Sequence, residues 1–140
     1  MPATLDGYAR AMGPSDTVLL VGFDPRTVPG VDADAVEMAI EMGQARFDAE
    51  HIDVESCLVA PDEHAVATVA HRLANADFDC IVVGGGMRKP DDTVMLFEQV
   101  IDAIRHLAPN TPIAFNSNPF DSIDAMRRGR RLRSRRFSDQ

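Results

Sequence analysis

Tryptophan is absent from this 140-residue chain, Tyr8 is its one tyrosine, and Lys89 is its one lysine. No apolar run approaches the roughly 18–20 residues that a membrane-spanning helix requires, which excludes a helical span. The two cysteines, Cys57 and Cys80, stand alone. Neither forms a CxxC pair or sits at metal-ligand spacing, so no metal site is expected. Two buried free thiols suit a reducing compartment. Residues Met1 to Gly13 lack a basic stretch followed by an apolar one, so no secretory signal is expected and the cytoplasm is the default. Hydrophobic residues make up 45% and charged residues 26%, enough for one modest core in a folded domain.

Charge of one sign is also scarce over most of the chain. Residues 1–126 carry 21 acidic and 7 basic side chains, while 127–140 carry seven arginines against Asp139. An acidic body thus bears a basic tail. The body repels nucleic acid, so any phosphate contact would fall to Arg127, Arg128, Arg130, Arg131, Arg133, Arg135 and Arg136. No aromatic residue interleaves with that run before Phe137, so it offers no base-stacking platform of its own. The bland expectation is a partly disordered tail that folds over the acidic body or a partner subunit.

The order of elements follows from hydrophobic period. Residues 1–15 read as an arm, 16–126 as a single α/β domain, and 127–140 as the tail. Thr17 to Phe23 and Cys80 to Val83 are uniformly apolar, the mark of strands buried on both faces. Ile52 to Val59 alternates, which suits an edge strand. Ile113 to Asn116 is a fourth short strand. Helical spacing runs through Val36, Ile40, Gly43 and Phe47, with Asp34 and Glu37 at capping-box spacing. A second helix follows Pro61, with Asp62 as its expected N-cap. A third runs from about Asp92 to Leu107. The last runs from Ser122 to about Arg128, with Gly129 as its stop.

Four strand–helix units predict a parallel sheet with right-handed crossovers. The expected architecture is a three-layer α/β/α sandwich of strand order 2-1-3-4, a flavodoxin-like fold. In such a sheet, ligands favour the crevice where the winding reverses, here between the loops after strands 1 and 3. The candidate ligand-binding residues are therefore Asp24, Arg26, Gly84, Gly85, Gly86, Arg88, Lys89, Asn116 and Asn118. Three glycines let a ligand approach the backbone. Arg88 and Lys89 bring positive charge for a phosphate or carboxylate. Asp24 can accept from a hydroxyl or amine, and the asparagines both donate and accept. Structural readings stand beside these. The glycines can serve a tight turn, Asp24 can pair with Arg88, and Asn116 to Asn118 can be turn chemistry. His64, near the start of the second helix, is the histidine best placed to reach the crevice.

Named signatures are missing. No G-x-G-x-x-G, GxxxxGK[ST] or G-x-S-x-G occurs, and no cofactor is indicated. The segments VLLVGFDPRTV, CIVVGGGMRKP and IAFNSNP together resemble small bacterial flavodoxin-like (Rossmann-like) proteins of unassigned function. The resemblance spans about residues 17–126, and implies the fold and no activity. The chain also looks superficially like a response-regulator receiver. However, Phe23-Asp24 replaces the acidic pair, Gly84-Gly85-Gly86 replaces the phosphoacceptor, and a fifth strand is lacking. A flavodoxin phosphate loop would be Ser/Thr-rich where this chain has Asp24-Pro25-Arg26-Thr27. The sequence thus points to a cytoplasmic domain that binds an anionic metabolite or nucleotide. The alternative is an interaction module, a homo-oligomer assembled through alanine-rich helices and the Arg tail.

Overall fold

The computed structural model describes the backbone of residues 17–138 and the side chains of residues 17–131. The N-terminal arm and Tyr8 lie outside the described residues. Strands β1 (Thr17–Phe23), β2 (Asp53–Val59), β3 (Cys80–Val83) and β4 (Ile113–Phe115) form one sheet of order β2-β1-β3-β4. All three pairings are parallel, with Val21 opposite both Cys57 and Val83. The helices are α1 (Ala33–Ala49), α2 (Ala65–Asn75), the single turn α3 (Gly85–Arg88), α4 (Val94–Leu107) and α5 (Ser122–Ser138). Among the described residues, no helix is long and apolar enough to cross a membrane.

Strand period 2 sorts the core into two clusters. Leu19, Val21, Ile81 and Val83 point to one face and pack with Val69 and Leu73 of α2 and with Val100 and Ile104 of α4. Val18, Leu20, Cys80 and Val82 point to the other, against Phe47 of α1 and Ile123 and Met126 of α5. Both faces of β1 and β3 are thus covered, and the molecule is a three-layer α/β/α sandwich of flavodoxin-like topology. The edge strand β2 is partly wetted. That wetting is graded along the strand rather than split between its faces: Asp53, Glu55, Cys57 and Val59 share one face, with the first two exposed and the last two buried.

Three element boundaries differ from the sequence expectation. Asp32, not Asp34, caps α1, and its Oδ1 accepts from Ala35 N at 3.2 Å. Asp34 instead pairs with Arg26. Asp62 accepts from His64 N, and α2 begins only at Ala65. Gly129 does not stop the last helix, which runs on to Ser138. An added Cβ there would lie 3.3 Å from the Cβ of Ala114 and 3.6 Å from Cys80 Sγ. This glycine lets α5 lie close on β3 and β4 rather than ending it.

Gly43 plays the same part in α1. A Cβ there would sit 2.2 Å from the Pro119 carbonyl oxygen. The loop after β4 therefore rests directly on α1. Arg46 of α1 reinforces that contact by donating to the Phe120 carbonyl and to both carboxylate oxygens of Asp124 on α5.

Candidate functional site

The strand-end loops meet as parallel pairing requires. Gly84 N donates to Val21 O at 2.8 Å, and Asn116 N to Val83 O at 3.3 Å. The carboxyl ends of β1, β3 and β4 are thereby held side by side at the point where the winding reverses.

A cleft of about 370 Å³ opens there. One wall is polar in part and comes from Gly84 to Gly86, Lys89, Asn116, Ser117 and Asn118. The facing wall is apolar and comes from Pro25, Val28, Val31, Val36, Ile40 and Leu58. Val31 is 40% and Leu58 37% exposed, so water reaches the mouth of the cleft. The volume lies within the roughly 300–1,000 Å³ typical of small-ligand sites.

The glycine segment is not an open loop. Gly85 begins the turn α3, and Met87 N returns to Gly84 O. A Cβ on Gly85 would meet the Ser117 and Asn116 carbonyl oxygens at 3.2 and 3.3 Å, whereas one on Gly86 would meet nothing within 4 Å. Gly85 is therefore required by packing, and Gly86 leaves space at an exposed position on the cleft wall.

Asn116 is 3% exposed and fully engaged. Its Oδ1 accepts from Gly85 N at 2.7 Å, and its Nδ2 donates to Ser122 Oγ at 2.9 Å. It ties the α3 turn to the start of α5. Asn118 caps a short 3-10 turn at Pro119–Asp121, where its Oδ1 accepts from Phe120 N and Asp121 N. Asp121 completes the box by accepting from Ser117 N and Asn118 N. Both asparagines thus do turn and loop chemistry while they line the cleft. Lys89 Nζ donates to the Ser117 carbonyl at 2.8 Å, which places its ammonium on the polar wall. Two of its three protons remain for other acceptors.

Six of the nine expected residues therefore gather around the cleft: Gly84, Gly85, Gly86, Lys89, Asn116 and Asn118. Asp24, Arg26 and Arg88 lie outside it. Asp24 accepts from Arg26 N at 3.1 Å and caps its own turn, so it forms no pair with Arg88. Arg26 pairs with Glu37 and Asp34. Its hydrogen bonds to Glu37, then to Asp34, hold that exposed guanidinium above its ordinary pKa. Arg88 donates to the Asn116 carbonyl at 3.0 Å from the far side of the loop. His64 is exposed, 3.6 Å from Glu63 and away from the cleft.

The apolar wall was not among the expected site residues. Val28 and Val31 lie between β1 and α1, outside any periodic segment, so hydrophobic period assigns them no face. Their signal was only that apolar side chains occur in a loop. Burial pushes the Cys57 thiol up, against the opposing pull of Arg72, so it stays protonated inside the core. Among the described residues, no group of three or more His, Cys, Asp or Glu comes together to hold a metal ion. Comparison with family models, with curated proteins and with solved structures returned no match, and the function of this chain is read from its own geometry.

Proposed function

We propose that the domain binds a small organic anion in the cleft over the ends of β1 and β3. The ligand is an anionic metabolite, or a nucleotide with a single phosphate. Its apolar body lies against Val28, Val31, Ile40 and Leu58, and its charged end lies at Lys89 and the Gly86 turn. The observation that carries this reading is the chain's one lysine on the polar wall of an otherwise apolar cleft at the switch point. One ammonium suits one phosphate or carboxylate group. A polyphosphate would call for more cations, but Arg26 is paired with Glu37 and Asp34, and Arg88 lies outside the cleft lining. Among the described residues the cleft walls carry no His, Cys, Asp or Glu to act as a general acid or base toward Lys89 or Ser117, which favours binding over catalysis.

A thermal-shift screen of mononucleotides, sugar phosphates, and aryl phosphates and carboxylates tests it. A hit should raise the melting temperature, and Lys89→Ala should weaken it by about tenfold or more, the scale of one charge-assisted hydrogen bond. A screen without hits contradicts the reading. So does a hit that binds Lys89→Ala as well as the unaltered chain.

The alternative is a self-assembly module. Met38 and Met42 favour it, at 62% and 51% exposure one turn apart on α1. Light scattering should then give a multiple of the 15.3 kDa chain mass, reduced by Met42→Glu. A monomeric mass at all concentrations contradicts it.

A further inference from the structure

The Arg-rich segment has no aromatic neighbour in sequence before Phe137, but the fold supplies one. Arg128 of α5 donates to the Phe115 carbonyl at 2.9 Å. Arg88 donates to the next carbonyl, that of Asn116, and its guanidinium carbon stands 5.9 Å from the centre of the Phe115 ring. That ring is 37% exposed on the edge strand β4 and is backed by Phe97 at 6.0 Å. Two cations therefore meet at the β4 edge, Arg88 over the Phe115 ring and Arg128 at the Phe115 carbonyl. Arg131 is exposed three residues beyond Arg128, and residues three apart share a helix face.

Charge pairing separates this group from other arginines of the chain. Arg26, Arg46, Arg72 and Arg127 each hold a carboxylate. Arg88, Arg128 and Arg131 hold none among the described residues, although acidic groups outnumber basic ones in this chain by 22 to 14. Guanidiniums left without carboxylates beside an exposed ring match a ligand that alternates phosphates with flat bases. The acidic remainder of the surface would repel such a ligand everywhere else and confine it to the strip.

We propose that single-stranded nucleic acid binds across the β4 edge, with phosphates at Arg88, Arg128 and Arg131 and a base stacked on Phe115. Aromatic stacking combined with a basic track is the general solution for single strands. This site is separate from the cleft and does not depend on the ligand proposed there.

Fluorescence anisotropy of a labelled oligo-dT of about twelve nucleotides, within the usual single-strand site size, provides the test on the full chain. Affinity should fall with salt at a log–log slope of about −2 for three phosphate contacts. The double variant Arg128→Gln/Arg131→Gln, which keeps amide donors, should weaken binding about tenfold or more and flatten that slope. Phe115→Leu keeps the packing on Phe97, and should weaken binding about tenfold while leaving the slope unchanged. Arg26→Gln, in the turn after β1 and paired with Asp34 and Glu37, should bind as the unaltered chain does. Absence of binding at low salt overturns the proposal, as does binding that neither variant changes. A mass increase in light scattering that the double variant abolishes, without oligonucleotide binding, overturns it in favour of an acidic second copy.

Discussion

Asn116 shows how one side chain can hold a site together without being its chemistry. It is buried, and both of its polar atoms are spent on Gly85 and Ser122. Asn116→Ala would strand the buried Gly85 amide and remove a donor from Ser122 Oγ, which keeps its own bond to the Pro119 carbonyl. It should cost about 2–3 kcal/mol, the scale of an unsatisfied buried group, measured by urea denaturation. The adjacent glycines should separate in the same assay. Gly85→Ala meets two carbonyl oxygens and should destabilise by about 1–3 kcal/mol, whereas Gly86→Ala meets nothing and should be neutral or slightly stabilising, since alanine favours a helical turn. The identity of these residues was legible in the sequence, because a glycine triplet after a buried strand marks a strand-end loop. Their partners were not. Asp24 and Arg88 have opposite charges and neighbouring loops, yet each found a nearer main-chain partner. Asp24 caps its own turn two residues on, as aspartates often do, and charge alone does not foresee that competition.

At the level of elements, close approach decides more than propensity does. Gly43→Ala would drive a methyl group into the Pro119 carbonyl and should destabilise by about 3 kcal/mol, the upper end for overpacking. Because Pro119 also lines the cleft, the same variant should weaken ligand in the thermal-shift assay. The helical stripe through Val36, Ile40, Gly43 and Phe47 was readable from its period, but the reason for a glycine in it required the neighbouring loop. Gly129 misled for the complementary reason. A glycine near a basic helix end reads as a stop, while here it lies against Ala114 and Cys80.

The Arg46–Asp124 pair joins α1 to α5 and adds a pH dependence. The hydrogen bonds from Arg46 hold the Asp124 carboxyl below its ordinary value of 3.8. A depressed carboxylate stabilises the fold above its unfolded pKa, and that contribution is lost as pH falls through the folded value. Asp124→Asn should therefore be less stable than the unaltered chain at about pH 7, with a smaller gap at about pH 3. Urea midpoints at the two pH values check this.

At the scale of the whole molecule, the architecture followed from period and order. Two uniformly apolar strands must be central, an alternating one must lie at an edge, and strand–helix units must run parallel. These rules place β1 beside β3, and with them the cleft. They say nothing of the facing wall, because loop residues such as Val28 and Val31 carry no period. The split of charge was equally plain, but only the fold brought Arg88 and Arg128 to Phe115.

The central claim is that the cleft over β1 and β3 takes a small organic anion. Amide NMR of the ¹⁵N-labelled chain, titrated with a panel of aryl phosphates and carboxylates, tests it most directly. The account predicts saturable shifts clustered at Gly84 to Gly86, Lys89, Ser117, Val31 and Leu58, reduced by Lys89→Ala. A panel that leaves those amides unmoved, or that shifts only residues on other surfaces, would contradict it.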